Sequence, residues 1–326
     1  MYDILLDQAW SKQPLNSASY FHDWVTSRYQ GAASLPAGLY TAWDTMRKTV
    51  YNNTQLNIAN AVTKSIFELS PNTTGLLNRT GHHPTTIQYN TNVLVGAWKD
   101  LYGAALSESS LWENTAYTFD LTDITRQVMA NAFYPLYTSF VAAANSTNNT
   151  TYSKATATVV GSQMITLLSD IDAVLTASGH SSFTLANWIA SARSWVSYTP
   201  TLPDTTTNTS AISQTAAFYE YNARNQITLW GPTGQISDYA SKQWAGLISS
   251  YYVPRWELFV NYTMNSSTSA NGASAALGKS LLAFEESWQT QVWGEIEGES
   301  YVVPEMARFA SEIARVVKRW PNVFGQ

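Results

Sequence analysis

Val160, Met164, Leu167, Ile171 and Val174 follow one another at intervals of four, three, four and three residues. That spacing lays five apolar side chains along one face of a helix. The same rule recurs through the chain. Leu121, Ile124 and Val128 predict a second helix, which Pro135 should kink or end, since proline lacks an amide hydrogen and collides with the preceding turn. Leu136 and Phe140 carry on beyond it. Leu185, Ile189, Ala192 and Val196 predict another, with Thr184 as its cap. Ala240, Trp244, Leu247 and Tyr251 predict a helix that starts near Ser237 or Asp238 and breaks at Val253-Pro254. Pro254 then opens the next, over 255–264. Met306, Phe309, Ile313 and Val316/Val317 form a last amphipathic helix ending before Pro321. Alternation with a period of two, the mark of strands, is nearly absent. About ten helices make the expected class all-α, an irregular multi-helix bundle. No internal repeat of solenoid length is visible. Loops rich in Asn, Ser and Thr separate the helices at 70–86, 145–151, 199–210 and 265–272.

Composition removes several functions. There is no Cys in the 326 residues, so neither a disulfide framework nor a thiolate metal site exists. Charged residues are only 13% of the chain and the net charge is −5, so no basic stripe is present to neutralise phosphates, and nucleic acid is not an expected partner. No apolar run approaches the roughly 20 residues that span a bilayer. Nine Asn-x-Ser/Thr sequons occur, at Asn52, Asn72, Asn78, Asn145, Asn148, Asn149, Asn208, Asn261 and Asn265, mostly in stretches that read as loops. Sparse charge with sequons suits a secreted, lysosomal or vacuolar glycoprotein. The opening residues lack a basic and then apolar export signal, which is expected to lie upstream.

Thirteen Trp and 19 Tyr suit a protein that stacks sugar rings, although such side chains more often fill helical interfaces. Trp230 is set apart by its place in a Leu229-Trp230-Gly231-Pro232 loop, where a side chain can project into a cleft. Asp120 and Asp123, one helical turn apart with Arg126 one turn further, read either as an acid/base pair or as a polar network joining helices. The network is favoured, because an arginine beside two acids keeps them ionised. Glu285-Glu286 point in different directions on a helix. Glu295, Glu297 and Glu299 read as a solvated turn, and His82-His83 lacks the further ligands of a metal site. His22 and His180 read as surface or boundary residues. No cofactor is implied.

Three stretches resemble glycoside hydrolase family 89, the α-N-acetylglucosaminidases. Asp120-Leu121-Thr122-Asp123-Ile124-Thr125-Arg126-Gln127 resembles one of its helices. The segment from Ala223 through Trp230-Gly231-Pro232, Asp238-Tyr239-Ala240 and Lys242-Gln243 to Tyr251-Tyr252 and Pro254-Arg255-Trp256 is the most specific match. Tyr2–Trp10, with Trp24-Val25 and Arg28-Tyr29, resembles the stretch leaving the family's catalytic barrel.

The resemblance implies a C-terminal all-helical domain over residues 1–326, with residues 1–30 continuing from that barrel. It implies hydrolysis of terminal non-reducing α-linked N-acetylglucosamine with retention, by two glutamates about 5–5.5 Å apart on the barrel. The second of these lies in a Pro-Glu-Gly segment that this chain lacks; Pro304-Glu305 is only an echo of it. No catalytic residue and no metal ligand is then expected here, and the chain alone is expected to be inactive. Trp230, Ile236 and Tyr239 match positions that wall the sugar pocket, with Gly231 and Pro232 shaping their loop. The expected partners are the barrel and a glycan ending in N-acetylglucosamine. Tyr2, Leu5, Leu6 and Trp10 are the expected apolar patch of a helix that leans on a partner.

Two other readings stay open on the residues alone. A self-contained helical glycosidase or lyase would pair Asp238 with Asp120 or Glu220. A carbohydrate-binding module would need no acid at all.

Overall fold

A computed structural model describes residues 2–52, 63–77, 79, 84–145, 151–198, 209–231, 234–265, 270–292 and 306–326. Eleven α-helices and one two-residue hairpin make up the regular structure among them, so the all-α expectation holds. The described chain gathers into two compact units.

The first unit combines residues 1–59, 87–128 and 317–326. It holds α1 (Tyr2–Gln8), α2 (Ser17–Arg28), α3 (Ala37–Lys48), α4 (Thr91–Ser107) and the N-terminal half of α5 (Thr115–Ala144). Asn16 and Asn90 cap α2 and α4, each accepting amide hydrogens of the first turn. Val25, Leu39, Leu101 and Leu121 are buried in its core. Trp98 packs on Phe324 at 4.4 Å, and its indole donates to Thr125 Oγ1 at 2.8 Å. Of the expected apolar patch, Leu5 and Leu6 of α1 are 66% and 67% exposed and Trp10, beyond its end, is 92% exposed, while the side chain of Tyr2 lies outside the described ones.

The second unit combines residues 60–86 and 129–316. It holds the rest of α5, then α6 (Thr151–Ser178), α7 (Leu185–Ser194), α8 (Thr209–Ile227), the hairpin β1 (Leu229–Trp230) and β2 (Ile236–Ser237), α9 (Val253–Asn265), α10 (Ala270–Gln289) and most of α11 (Met306–Arg319). Its centre is aromatic: Phe133 and Tyr137 of α5 meet Trp256 and Phe259 of α9 at 4.8–6.1 Å, largely edge to face. Thr184 caps α7 through Asn187 N–H as its sequence predicts. The face made of Met164, Leu167, Ile171 and Val174 is fully buried, and so are Phe309, Ile313 and Val316 of α11.

Three expectations are corrected. Pro135, expected to kink or end its helix, does not end it; α5 runs through it. Proline faces solvent there, while Phe133, Tyr137 and Phe140 bury on the other side. Burying three large rings outweighs the roughly 3 kcal/mol that an interior proline costs. The helix expected from Ser237/Asp238 to Tyr251 starts only at Leu247, and it does not break at Val253-Pro254. Instead a π-helical turn, Ile248–Tyr252, leads straight into α9. Val253 N–H bonds five residues back, to Ile248 O. Pro254, which has no donor, falls where the ladder returns from that wide turn to α-helical spacing. Finally, residues 153–178 of α6 are long and apolar enough to cross a membrane by length and composition. Ser162, Gln163, Ser169, Asp170 and Asp172 interrupt the run, which is why a search for unbroken apolar residues passes over it. Its buried stripe makes it a core helix of this unit.

Candidate functional site

The chain leaves α8 at Ile227 and makes one tight excursion before re-entering helix. Trp230 pairs with Ile236 and Leu229 with Ser237 across the hairpin. The turn needs glycine twice. Gly231 and Gly234 have φ of 80° and 68°, left-handed values that side chains resist. A Cβ on Gly231 would collide with Gln235 Oε1, and one on Gly234 would come within 2.7 Å of Leu229 Cδ1. Pro232 lies outside the described residues.

Trp230 is half-buried, its indole donating to Gln226 O at 2.9 Å. Tyr239 lies against it with ring centroids 5.3 Å apart. Ile236 and Tyr239 are 45% and 55% exposed. The structure thus brings Trp230, Ile236 and Tyr239 together as one apolar, hydroxyl-bearing edge, although up to nine residues separate them in sequence.

Beneath this edge the chemistry is ionic. Asp238 is 1% exposed and accepts Arg255 Nη1 and Nη2 at 2.8 and 2.9 Å. Arg255 is wholly buried, with its Nε 3.0 Å from Glu285 Oε1 and its guanidinium 4.7 Å above the Tyr251 ring. Burial alone would lower the arginine's pKa, but Asp238 and its other neighbours hold it well above the ordinary value. Burial pushes Glu285 up, and Arg255 offsets part of that. The roots of the hairpin are gripped as well. Gln289 Nε2 donates to Leu229 O, and Lys64 Nζ donates to Tyr239 O at 3.3 Å and to Ser241 Oγ at 2.7 Å. Glu68 accepts from Ser241 and Gln243, both at 3.1 Å. Burial lowers the Lys64 pKa, opposed by Glu68.

The sequence reading missed Arg255 and Glu285 as a pair. The signal was present: Arg255 shares a helix face with Trp256 and Phe259, and a buried guanidinium demands an acid. Glu285 and Glu286 do diverge as expected, the first buried and the second exposed.

The other acids that the sequence singles out, Glu220, Asp120 and Asp123, are engaged by arginines. Glu220 is fully buried and accepts Arg224 at 2.8 Å and Arg193 at 2.7 Å. Asp120 accepts Arg28 through both oxygens, at 2.5 and 2.6 Å, and Tyr29 Oη at 2.8 Å. Arg28, not Arg126, is therefore its partner; Arg126 holds Asp123 at 2.6 Å. The network reading of Asp120 stands, with a different arginine. Burial raises the Asp120 pKa while Arg28 pulls it back. The two-pronged contact keeps the carboxylate ionised. This pair floors a cleft of about 350 Å³ walled by Trp24, Trp43, Tyr51 and Phe119. A general acid needs a carboxyl freed of such a partner, so Asp238, Asp120 and Glu220 are poor acid/base candidates. Among the described residues no three His, Asp or Glu gather as metal ligands.

The sequons divide. Asn52, Asn145, Asn261 and Asn265 are exposed, though Asn261 lies within α9 rather than in a loop. Asn72 is half-buried and its side chain bonds Ser70 O and Thr74 N–H. Asn78, Asn148, Asn149 and Asn208 lie outside the described residues, as do His82-His83, Glu295, Glu297 and Glu299.

Residues 20–308 match the model of the alpha-N-acetylglucosaminidase (NAGLU) C-terminal domain. The chain belongs to that family. The human alpha-N-acetylglucosaminidase is 31% identical over 274 residues, covering 82% of this chain and 31% of its own length. The chain therefore spans about a third of that relative. Two Clostridium perfringens structures share the fold of this C-terminal domain. One is CpGH89 in complex with its substrate GlcNAc-alpha-1,4-galactose, with TM-score 0.74, 21% identity, and 99% of this chain and 34% of that one covered. The other is a family 89 glycoside hydrolase in complex with PUGNAc, with TM-score 0.72, 22% identity, and 96% and 33% covered.

Proposed function

We propose that residues 1–326 serve as the C-terminal helical domain of an exo-acting α-N-acetylglucosaminidase. The enzyme removes terminal non-reducing α-linked N-acetylglucosamine with retention, using two glutamates of a barrel that precedes this chain and to which residues 1–30 lead. In this reading Trp230 stacks on or walls off the sugar, Ile236 makes apolar contact, and Tyr239 offers a ring face and a hydroxyl. Gly231 and Pro232 shape the loop. The chain by itself is inactive, and the whole enzyme is a secreted, lysosomal or vacuolar glycoprotein. The single observation that carries the reading is the edge of half-buried Trp230 with exposed Tyr239 and Ile236, mounted on a buried ionic base in the segment that most resembles the family.

Hydrolysis of an aryl α-N-acetylglucosaminide tests it, by this chain alone and by the chain joined to the sequence encoded upstream. Activity in the longer protein only is expected. Within it, Trp230→Ala should lower kcat/KM on the order of tenfold to a hundredfold, the scale of losing one aromatic anchor. An unchanged kcat/KM would remove Trp230 from the pocket. Activity in the short chain would return the search for carboxylates to Asp238, Asp120 and Glu220.

A further inference from the structure

We infer that Asp238, Arg255 and Glu285 form a buried brace that fixes the hairpin, and so act as positioning residues for the sugar held by Trp230 and Tyr239. The kinetic half of this inference rests on the sugar-wall reading; the structural half does not.

Asp238 follows β2 and immediately precedes Tyr239. It is the one non-glycine residue at positive φ among the described residues, at 56°. That conformation is uncommon for a side-chain-bearing residue and persists only where the surroundings over-determine it. Here they do. The Asp238 N–H donates to Thr228 O at 2.7 Å, tying the end of β2 to the start of β1. Its carboxylate sits in the two-pronged grip of Arg255. On its other edge Arg255 meets Glu285 in an ion pair, Nε 3.0 Å from Oε1 without hydrogen-bond geometry, and Tyr251 covers its face.

The helix is built to deliver that arginine. The π turn Ile248–Tyr252 inserts one residue just ahead of Arg255. One inserted residue rotates every following side chain by about 100° around the axis. The turn therefore decides which way Arg255 points. An ordinary buried ion pair needs neither a strained residue at one end nor a wide turn at the other. Both features converge on Asp238, which lies between the exposed Ile236 and Tyr239.

The brace makes a specific demand on its parts. Asn tolerates left-handed backbone much as Asp does, so Asp238→Asn keeps the shape and the φ preference and removes only the charge. The experiment uses the whole enzyme, with hydrogen exchange read on peptides covering 228–240 and KM and kcat read on an aryl α-N-acetylglucosaminide. Asp238→Asn should speed exchange in that segment about tenfold or more, as local opening becomes easier. It should raise KM about tenfold with a smaller change in kcat, the signature of a displaced binding wall. In a Trp230→Ala, Tyr239→Ala background the same substitution should add no further rise in KM, because the brace acts through those rings.

Unchanged exchange in Asp238→Asn overturns the inference, and so does a KM effect that simply adds to that of the missing rings. Should Trp230→Ala leave KM and kcat untouched, the sugar-wall reading fails, and exchange in 228–240 still decides the brace. Should Asp238→Asn not fold, Arg255→Lys is read by the same criteria, since lysine keeps the charge but cannot make the two-pronged contact.

Discussion

Asp120 with Arg28 and Asp238 with Arg255 are the same chemical object placed in two settings. Each is a two-pronged arginine–aspartate pair, with the aspartate residue 7% exposed in the first case and 1% in the second. Asp120 and Arg28 both project from regular helices, α5 and α2, and Tyr29 of the same region completes the carboxylate's bonds. Their backbones would hold their course without the pair. Asp238 sits on strained, non-helical chain, where the pair acts together with the Asp238 N–H bond to Thr228 O and the Lys64 bond to Tyr239 O, and its arginine follows a π turn. The first pair joins helices that already exist; the second helps to create a conformation. The same contact can thus be a strut or a template, and the backbone at its ends distinguishes the two.

The largest effect should come from deleting the arginines. Arg255→Ala would strand Asp238 and Glu285 as buried acids. Removing one partner of a buried pair costs about 3–5 kcal/mol. Arg28 is partly exposed, so water can reach Asp120 when it is removed. Arg28→Ala should then cost nearer 1–3 kcal/mol, roughly the desolvation of one unpaired group. Urea midpoints of the two variants measure the gap. Equal losses would erase the distinction between strut and template.

A smaller effect sharpens the electrostatics of the template. Burial raises Glu285, with Arg255 only partly offsetting it. A carboxyl whose folded pKa lies above its unfolded value stays protonated in the fold while the unfolded chain ionises. Its favourable share of stability is full below the ordinary glutamate value and is lost as pH rises through the folded pKa. Glu285→Gln removes that dependence. The stability of the unmodified chain relative to Glu285→Gln should therefore fall as pH rises from about 4 toward neutrality, from the ordinary glutamate range upward. Denaturant midpoints across that range check it. A constant difference would mean that Glu285 is ionised in the fold and paired as tightly as Asp238.

How much of this was legible in the sequence follows from where the forces act. The helices of α6, α7 and α11 were readable because each buries one stripe of regularly spaced apolar residues, and a stripe is a one-dimensional signal. The edge of Trp230, Ile236 and Tyr239 was named from the wording of the segment alone. Its base was not. Ala240, Trp244, Leu247 and Tyr251 have helical spacing, yet 238–245 is held out of helix by contacts with Thr228, Lys64, Glu68 and Phe183, residues up to 177 positions away. Spacing cannot report such partners. Pro135 misled for the same reason: its local cost was visible, while the rings of Trp256 and Phe259 that offset it come from another helix. The family resemblance, carried by three short stretches, reached further than periodicity because it encodes those distant contacts implicitly.

The smallest effect marks the lower end of the comparison, where carboxylates act at the surface. Asp3 Oδ2 accepts the Trp24 indole at 2.9 Å and Asp7 Oδ2 accepts the Tyr20 hydroxyl at 2.7 Å, tethering α1 to α2. Both aspartates are exposed. Water competes for such groups, so a surface contact of this kind contributes about 1 kcal/mol or less. Asp3→Asn and Asp7→Asn keep an acceptor oxygen and should each shift the urea midpoint by no more than that. Tyr20, pushed up to about 12 by burial and then by Asp7, should titrate closer to its ordinary value in Asp7→Asn, a change that ultraviolet difference spectra against Tyr20→Phe resolve. The titration should move while stability barely does, because a phenol that stays protonated at neutral pH draws little folding energy from a solvated carboxylate. A stability loss on the scale of Arg255→Ala would show that α1 is braced rather than tethered. The exposed Leu5 and Leu6 would then sit on a helix as firmly held as the hairpin.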